Sequence, residues 1–123
     1  METNTNFNAE NMAEMLTVFT NVPRLRILEC LLKGPRIVGD IVKETGYVQA
    51  VISKQIGILR DAGLLQCQPQ GRCRAYQLAD AHVVRNLIKA ASDVVLVAAS
   101  NRRECEKLRS HKVKSTQKEV DND

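Results

Sequence analysis

The feature that most constrains the fold of this chain of 123 residues is a single predicted helix bounded by two glycines. The segment GYVQAVISKQIGILRDAGLL opens at Gly46, runs into apolar residues at helical spacing and stops at Gly63. Ile52, Ile56 and Leu59 fall on one face of that helix, which suits a hydrophobic core. The other face carries amide, hydroxyl and amine side chains that a core does not need. The segment therefore predicts a half-buried helix from about Gln49 to Ala62 that offers hydrogen bonds to a partner outside the fold.

Three helices are predicted before this segment. The first starts at Ala9 and ends near Thr20, a stretch in which apolar residues recur at helical spacing. The second spans residues 23–33, because the fixed φ of Pro23 suits the first turn of a helix. Its predicted inner side holds Leu25, Leu28 and Leu32. A short third helix spans residues 38–45 and ends at Gly46, a residue that can take the left-handed conformation favoured at helix ends.

A β-hairpin is predicted after the glycine-bounded helix. Residues 64–67 and 72–78 have the composition of strands, and the sequence Pro69–Gly71 between them is typical of a turn. Arg72 and Arg74 give this hairpin positive charge, with no acidic residue nearby.

A long last helix is predicted to begin after Asp80, which can cap it. Its apolar positions alternate in steps of four and three, and a second apolar stripe runs beside them. The two stripes together are too wide for one small core, so one half is predicted to face a second copy of the chain. The positions that alternate are Val84, Ile88, Ala91, Val95 and Ala98.

This order of elements predicts a mainly α fold with a β-hairpin wing, the winged helix-turn-helix. The glycine-bounded helix has the right length for the major groove of B-form DNA. Gln49 can pair with adenine edges there, and Lys54 with guanine edges or phosphate. The basic hairpin would lie beside it against the DNA backbone or the minor groove.

Several motifs, in order and at matching spacing, resemble the ArsR/SmtB family of repressors. NVPRLRILECLLKG resembles the opening motif of the family, GYVQAVISKQIGILRDAGLL its recognition segment and GRCRAYQL its wing, and residues 80–83 resemble the start of its last helix. The resemblance implies a homodimer built through the first and last helices, an inverted-repeat operator and release by an inducer. The DNA-contacting positions that it implies are Gln49, Ala50, Ser53, Lys54, Gln55, Arg72 and Arg74.

The composition of the two ends sets the expected domain boundaries, and the apolar stripe of the last helix sets most of the expected dimer interface. Residues 1–8 are expected to be a disordered N-terminus and residues 109–123 a disordered charged tail. Residues 9–108 are expected to form one DNA-binding and dimerisation domain. The expected interface adds Leu16 of the first helix to the alternating positions of the last. One departure from the family is Val48, which replaces the hydroxyl residue that often caps the recognition helix.

The charge distribution agrees with a polyanionic partner, although a simple solubility charge is equally compatible with the composition. Net charge is +4, and residues 23–100 hold eleven of the eighteen basic residues but only six of the fourteen acidic ones. No apolar run is long enough for a membrane helix, and the N-terminus lacks the features of a secretory signal. The expected location is the cytoplasm.

The resemblance implies two kinds of metal site, one on the third helix and one on the last. The third helix has no cysteine, so the thiolate site found there in arsenic or cadmium sensors is absent. The zinc-type site on the last helix, contributed across the dimer, would use Asp80, His82 and Asp93, but Leu96 replaces its last carboxylate. Three such ligands make a poor closed zinc site. The alternative is that Asp80 is only a helix cap and His82 a surface residue.

Thiol sensing is the other alternative, because the chain has four cysteines and no CxxC pair. A three-residue turn at Pro69–Gly71 would place Cys67 opposite Cys73, close enough for a reducible disulfide or a shared soft metal such as zinc or trivalent arsenic. Cys30 and Cys105 resemble a two-cysteine oxidant sensor of the family, but their spacing differs from it. The alternative for any single cysteine is an inert packing residue, as cysteines in protein cores commonly are.

The sequence thus predicts a dimeric, operator-binding repressor that a thiol-reactive or metal inducer releases. One alternative is a DNA-binding regulator without an inducer, and another is a winged helix that binds proteins and not DNA. An enzyme is not expected, since the chain has no phosphate-binding glycine loop and no arranged nucleophile among its two histidines.

Overall fold

The computed structural model describes the backbone of residues 7–121 and the side chains of residues 7–111. It divides into two units, one up to Val84 and one from Arg85 onward. Residues 1–6 of the expected N-terminal tail and the last two residues of the chain lie outside the described part. The elements in chain order are α1 (Ala9–Thr17), α2 (Val22–Leu32), β1 (Arg36–Ile37), α3 (Val38–Thr45), α4 (Gln49–Asp61), β2 (Leu65–Gln70), β3 (Cys73–Leu78) and α5 (Ala81–Asp121).

Side-chain caps begin three of the helices. Asn8 Oδ1 accepts a hydrogen bond from the Asn11 amide at 3.0 Å and so starts α1. Asn21 does the same for α2, accepting from the Arg24 amide at 3.0 Å. Asp80 Oδ1 accepts from the Val83 amide at 3.1 Å, which confirms the predicted cap of α5. Each cap satisfies an N–H group that the first turn of a helix leaves without a partner.

The core of the first unit is aliphatic and is built around α2, α3 and α4. Its fully buried side chains are supplied by these three helices, and residues of the hairpin complete it. The predicted inner face of α4 is confirmed, because Ile52, Ile56 and Leu59 are all buried. The core side chains include Ile27, Leu28, Leu31, Ile41, Ile52, Ile56, Leu59, Leu65, Ala75, Tyr76, Leu78 and Val84.

Val84 therefore belongs to this core and not to the predicted dimer face. Its side chain is only 4% exposed within a single chain. Val84 lies one turn after the Asp80 cap, in the first turn of α5, and it is the last residue of the first unit. An apolar side chain at this position is removed from water by the chain itself.

The hairpin has a tighter turn than the sequence predicted. The sheet order is β1-β3-β2, and Gln70 pairs with Cys73, so only Gly71 and Arg72 form the loop. Gly71 has a φ of +62° and Arg72 does not have a positive φ, the pattern of a type II′ turn. Pro69 lies inside β2, because that strand is at the edge of the sheet and an edge tolerates a missing N–H group.

Helix α5 is longer than the sequence predicted. Its backbone remains helical to Asp121, whereas a disordered tail was expected from residue 109. Neither glycine nor proline occurs after Gly71, and lysine, arginine and glutamate favour helix. Within residues 7–121, no helix is both long enough and apolar enough to cross a membrane.

Candidate nucleic-acid interface

Helices α3 and α4 form a helix-turn-helix whose second helix exposes a polar face. Gly46 ends α3 with a φ of 77° and donates its N–H to the Val42 carbonyl at 2.9 Å. This left-handed residue turns the chain sharply into α4. Four predicted DNA-contacting residues of α4 are exposed on one side of it, namely Gln49, Ala50, Ser53 and Lys54.

Gln55 does not share this face, and its place in the structure corrects the sequence interpretation. Its side chain is only 8% exposed. Its amide oxygen accepts a hydrogen bond of 2.8 Å from Nη1 of Arg24 in α2. A residue on the border between the two faces of a helix can turn either way, and here the guanidinium holds it inward.

Arg24 is a functional candidate that the sequence analysis did not single out. Besides Gln55, its guanidinium reaches two carbonyl oxygens at the C-terminal end of α1. The only sequence signal was its position in the motif NVPRLRILECLLKG, three residues after the capping Asn21. That signal identifies the start of a helix, but it does not indicate which residues the Arg24 side chain contacts.

The wing brings positive charge close to the start of α4. Arg72 lies in the turn and Arg74 on β3, and both side chains are exposed. Arg74 and Gln49 line the same open cleft of ≈ 410 Å³, so the wing and the recognition helix contribute to one surface. The full lining is Ile37, Val38, Gly39, Gln49, Cys73, Arg74 and Tyr76.

The start of α4 adds backbone donors to this surface. The side chain of Val48, the residue before the helix, provides no capping hydrogen bond. The Val48 carbonyl accepts from the amides of Val51 and Ile52, at 3.1 and 3.2 Å. The N–H groups of Gln49 and Ala50, the first two residues of α4, have no acceptor inside a helix and remain available to an outside acceptor, and the helix dipole favours an anionic one.

Cys67 and Cys73 do not face each other, which corrects the predicted pairing. Cys67 lies opposite Tyr76 in the hairpin, and Cys73 lies opposite Gln70. The two-residue turn shifts the register by three positions, an odd number, so the two thiols lie on opposite faces of the hairpin. Both are free and exposed. A disulfide between them would require a different strand register.

Cys30 is a buried thiol whose surroundings disfavour the thiolate form. It is buried on α2, and this burial raises the pKa of its thiol, with the negative charge of the nearby Glu44 raising it further. The Glu44 carboxylate accepts from Nε of Arg36 at 3.1 Å, and this hydrogen bond lowers the pKa of Glu44. Since the thiolate is the nucleophile, a raised pKa slows the thiol chemistry of Cys30.

The remaining sensing candidates are not brought together within one chain. Asp80 is engaged in capping α5, and Cys105 is an exposed residue on the same helix. Among the residues whose side chains are described, no three histidine, cysteine, aspartate or glutamate side chains are placed to hold a metal ion. The set of Asp80, His82 and Asp93 was predicted across the dimer, needs residues of a second copy and stays a prediction.

Comparisons with known proteins agree with this geometry. Residues 21–66, from the cap of α2 to the start of β2, match the model of a family described as bacterial regulatory protein, arsR family. The HTH-type transcriptional regulator NmtR from Mycobacterium tuberculosis is 35% identical over 82 residues, which cover 67% of this chain and 68% of that protein.

Two solved structures extend the similarity from sequence to fold. The crystal structure of Rv0081 from M. tuberculosis superposes with a TM-score of 0.67 at 29% identity, covering 76% of this chain and 93% of the other. The winged helix-turn-helix domain of Mb0332 from Mycobacterium bovis, described as homodimeric, gives a TM-score of 0.62 at 25% identity. That match covers 75% of this chain and 93% of the other.

Proposed function

Since this chain belongs to the arsR family of bacterial regulatory proteins, we propose that it acts as a dimeric repressor that binds an inverted-repeat operator. Its family consists of DNA-binding transcriptional regulators and not of enzymes. The proposal assigns base reading and a phosphate contact by Lys54 to α4, and further phosphate contacts by Arg72 and Arg74 to the wing. Such a repressor acts in the cytoplasm, where the bacterial chromosome lies.

The observation that carries this proposal is the shared surface of α4 and the wing. Gln49 and Arg74 line one cleft, and Ser53 and Lys54 are exposed on the adjoining face of α4. A side-chain amide can bond both the N6 and N7 positions of adenine, and a guanidinium is suited to phosphate. Base reading and backbone anchoring can therefore occur in one docking event.

Exposed apolar side chains on α1 and α5 support a dimer. On α1, Met12, Met15 and Leu16 are 42%, 39% and 40% exposed, although large apolar residues are usually covered. On α5, Val95 of the predicted seam is 64% exposed. We assign Leu16, Ile88, Ala91, Val95 and Ala98 to the interface between two copies, without Val84.

A two-fold dimer predicts the form of the operator. Two identical reading helices related by a two-fold axis meet two identical half-sites in opposite orientation. Their centres are separated by about one turn of the duplex, about 34 Å, or a multiple of it. An inverted repeat is the DNA sequence that satisfies this symmetry.

Thiol-linked release is best supported at Cys73. This residue lines the cleft together with Gln49 and Arg74. An adduct on Cys73 would fill space that the DNA backbone needs between the wing and α4, so modification would weaken operator binding. Zinc or trivalent arsenic would have to collect its ligands from both protomers.

A second candidate function is an operator-binding regulator without its own inducer. Two observations favour it, namely the raised pKa of buried Cys30 and the hairpin register that separates Cys67 from Cys73. A variant with all four cysteines replaced by serine separates the two candidates. If this variant still leaves DNA on treatment with oxidant, polysulfide or metal, release does not depend on thiols.

The proposed function is tested by selecting binding sites from a random duplex pool with purified protein. We expect enriched sequences to be inverted repeats and to occur near the gene's own promoter. Binding of the selected duplex should be measured under reducing and oxidising conditions, with and without zinc and arsenite. Recovery of random sequences without a repeat would refute the proposal.

A further inference from the structure

Arg24 connects two helices that have different tasks under the proposed function. Its Nε donates to the Val18 carbonyl at 2.7 Å, and its Nη2 lies 3.3 Å from the Thr17 carbonyl. Both carbonyls are at the C-terminal end of α1. Its Nη1 donates to Gln55 Oε1 on α4 at 2.8 Å. One planar guanidinium thus spans α1 and the recognition helix.

The α1 end of this connection is favourable in itself. The last carbonyl groups of a helix receive no hydrogen bond from an N–H group of the same helix, and the helix dipole makes this end negative. A guanidinium with its donors in a fixed plane donates to two of these carbonyls at once, and the Thr17 carbonyl also accepts from the amide and hydroxyl of Thr20. Its own backbone amide is held by Asn21 at 3.0 Å, so the residue is fixed at both ends.

The packing of α1 gives this connection its importance. None of the nine residues of α1, all within the described part of the chain, is buried. A helix without buried side chains is not oriented by a close-packed core. Within one protomer, directional hydrogen bonds from Arg24 are therefore a principal constraint on the angle between α1 and α4.

The α4 end of the connection lies directly behind the reading face. Gln55 is 8% exposed and points inward, while its neighbours Ser53 and Lys54 are exposed. A rotation of α4 about its axis would move Gln55 away from Arg24 and would shift the exposed residues in the same sense. The hydrogen bond at Gln55 therefore opposes displacement of the DNA-contacting side chains.

We propose that Arg24 is a positioning residue that fixes the angle between α1 and α4, and with it the distance between the two reading helices of the dimer. This inference rests on the proposed function, because it needs α1 in the dimer interface and α4 on DNA. Arg24 itself does not touch DNA. Its effect is to make the dimer selective for one half-site spacing.

The spacing preference provides a test that a purely stabilising residue would not affect. The probes are the duplex selected by the wild-type protein and versions with one or two base pairs inserted between the half-sites. For the wild type we expect insertion to weaken binding by at least about tenfold, since base contacts tolerate little displacement. Arg24→Lys keeps the positive charge but lacks the planar guanidinium that donates to both helices at once. This variant should bind the selected duplex about tenfold more weakly and should discriminate much less between half-site spacings.

Gln55→Met supplies a second variant that preserves side-chain length and leaves Arg24 on α1. It should reproduce the loss of spacing preference, and the double variant should add little, since both changes break one hydrogen-bonded unit. Arg26→Lys is the matched control, because Arg26 is an exposed arginine on the same helix that pairs with Glu29. The slope of affinity against salt should stay at the wild-type value in all variants, because no phosphate contact is lost.

Each outcome decides the proposal. If Arg24→Lys or Gln55→Met is folded and dimeric and keeps the wild-type spacing preference, the positioning role is wrong while the proposed function stands. If Arg24→Lys fails to fold, the result for Gln55→Met decides. A wild-type protein that binds every duplex equally would overturn both the proposed function and the role of Arg24.

Discussion

Gln49, in the first turn of the recognition helix, and Arg74, on the middle strand of the sheet, line the same cleft. They are 25 residues apart in the sequence and belong to elements with different chemistry. The amide can distinguish bases, whereas the guanidinium binds phosphate with little regard for sequence. Their common surface means that substitutions at the two positions should have separable effects on DNA binding.

Replacement of Arg74 by alanine should weaken binding to the selected and to a scrambled duplex by the same factor. A dimer loses two phosphate contacts, so the logarithmic salt slope should become less steep by about 2. Fluorescence anisotropy titrations at several salt concentrations measure both quantities. Arg26→Ala serves as control, and a selective loss on the chosen duplex alone would contradict phosphate binding by Arg74.

Oxidation should not join Cys67 to Cys73 in the folded chain. The hairpin register places them opposite different residues and on opposite faces, so the bond requires the strands to separate. Non-reducing peptide mapping after mild oxidant should show no peptide that contains this bridge. In iodoacetamide labelling, Cys30 should react more slowly than exposed Cys67, because burial raises its pKa. A rapidly formed Cys67–Cys73 bridge would show that the hairpin register is different in solution.

Glu44→Gln should reduce stability near neutral pH and have no effect in strong acid. Its hydrogen bond from Arg36 lowers the pKa of Glu44 below its ordinary value of 4.5. The unfolded state therefore binds the proton more readily, and the stabilisation is present above that value and lost as pH falls through the folded pKa. Urea unfolding of both proteins as a function of pH measures the difference. Glu29→Gln, at an exposed ion pair, should show a smaller difference, and equal curves for the two variants would contradict the account.

Val95→Glu should convert the dimer to a monomer, and Leu96→Glu should not. The two side chains are equally exposed in one chain, at 64% and 67%, but they project about 100° apart around α5. Only Val95 lies on the proposed seam, where a buried carboxylate without a partner is strongly unfavourable. Light scattering during size-exclusion chromatography distinguishes the cases. Dissociation by Leu96→Glu, with Val95→Glu still dimeric, would place the interface on another face.

The helix boundaries in the first unit were largely predictable from local chemistry. Helix α3 has the predicted limits, and α4 starts at the predicted Gln49, because turn residues and apolar periodicity mark these ends without tertiary information. The left-handed Gly46 and the capping Asp80 are also confirmed. The predicted inner side of α2 was less accurate, since Ile27 and Leu31 are buried while Leu25 is 37% exposed.

Features that depend on long-range pairing were not predictable. Strand β1 has only two residues and exists because Arg36 and Ile37 pair with β3. The inward position of Gln55 depends on Arg24, 31 residues away. The hairpin register was misjudged because Pro69 indicates a turn by composition, yet an edge strand accepts it. The spacing of residues along one helix or strand does not reveal which residues of another element they will contact.

The salt dependence of operator binding by the unmodified dimer is the most direct test of the central claim. Lys54, Arg72 and Arg74 from two protomers neutralise six phosphates, so the logarithm of the affinity should fall linearly with the logarithm of salt concentration, with a slope of about −5. The selected duplex should remain favoured over a scrambled one throughout. A slope near zero, or equal affinity for both duplexes at every salt concentration, would show that this exposed surface does not bind operator DNA.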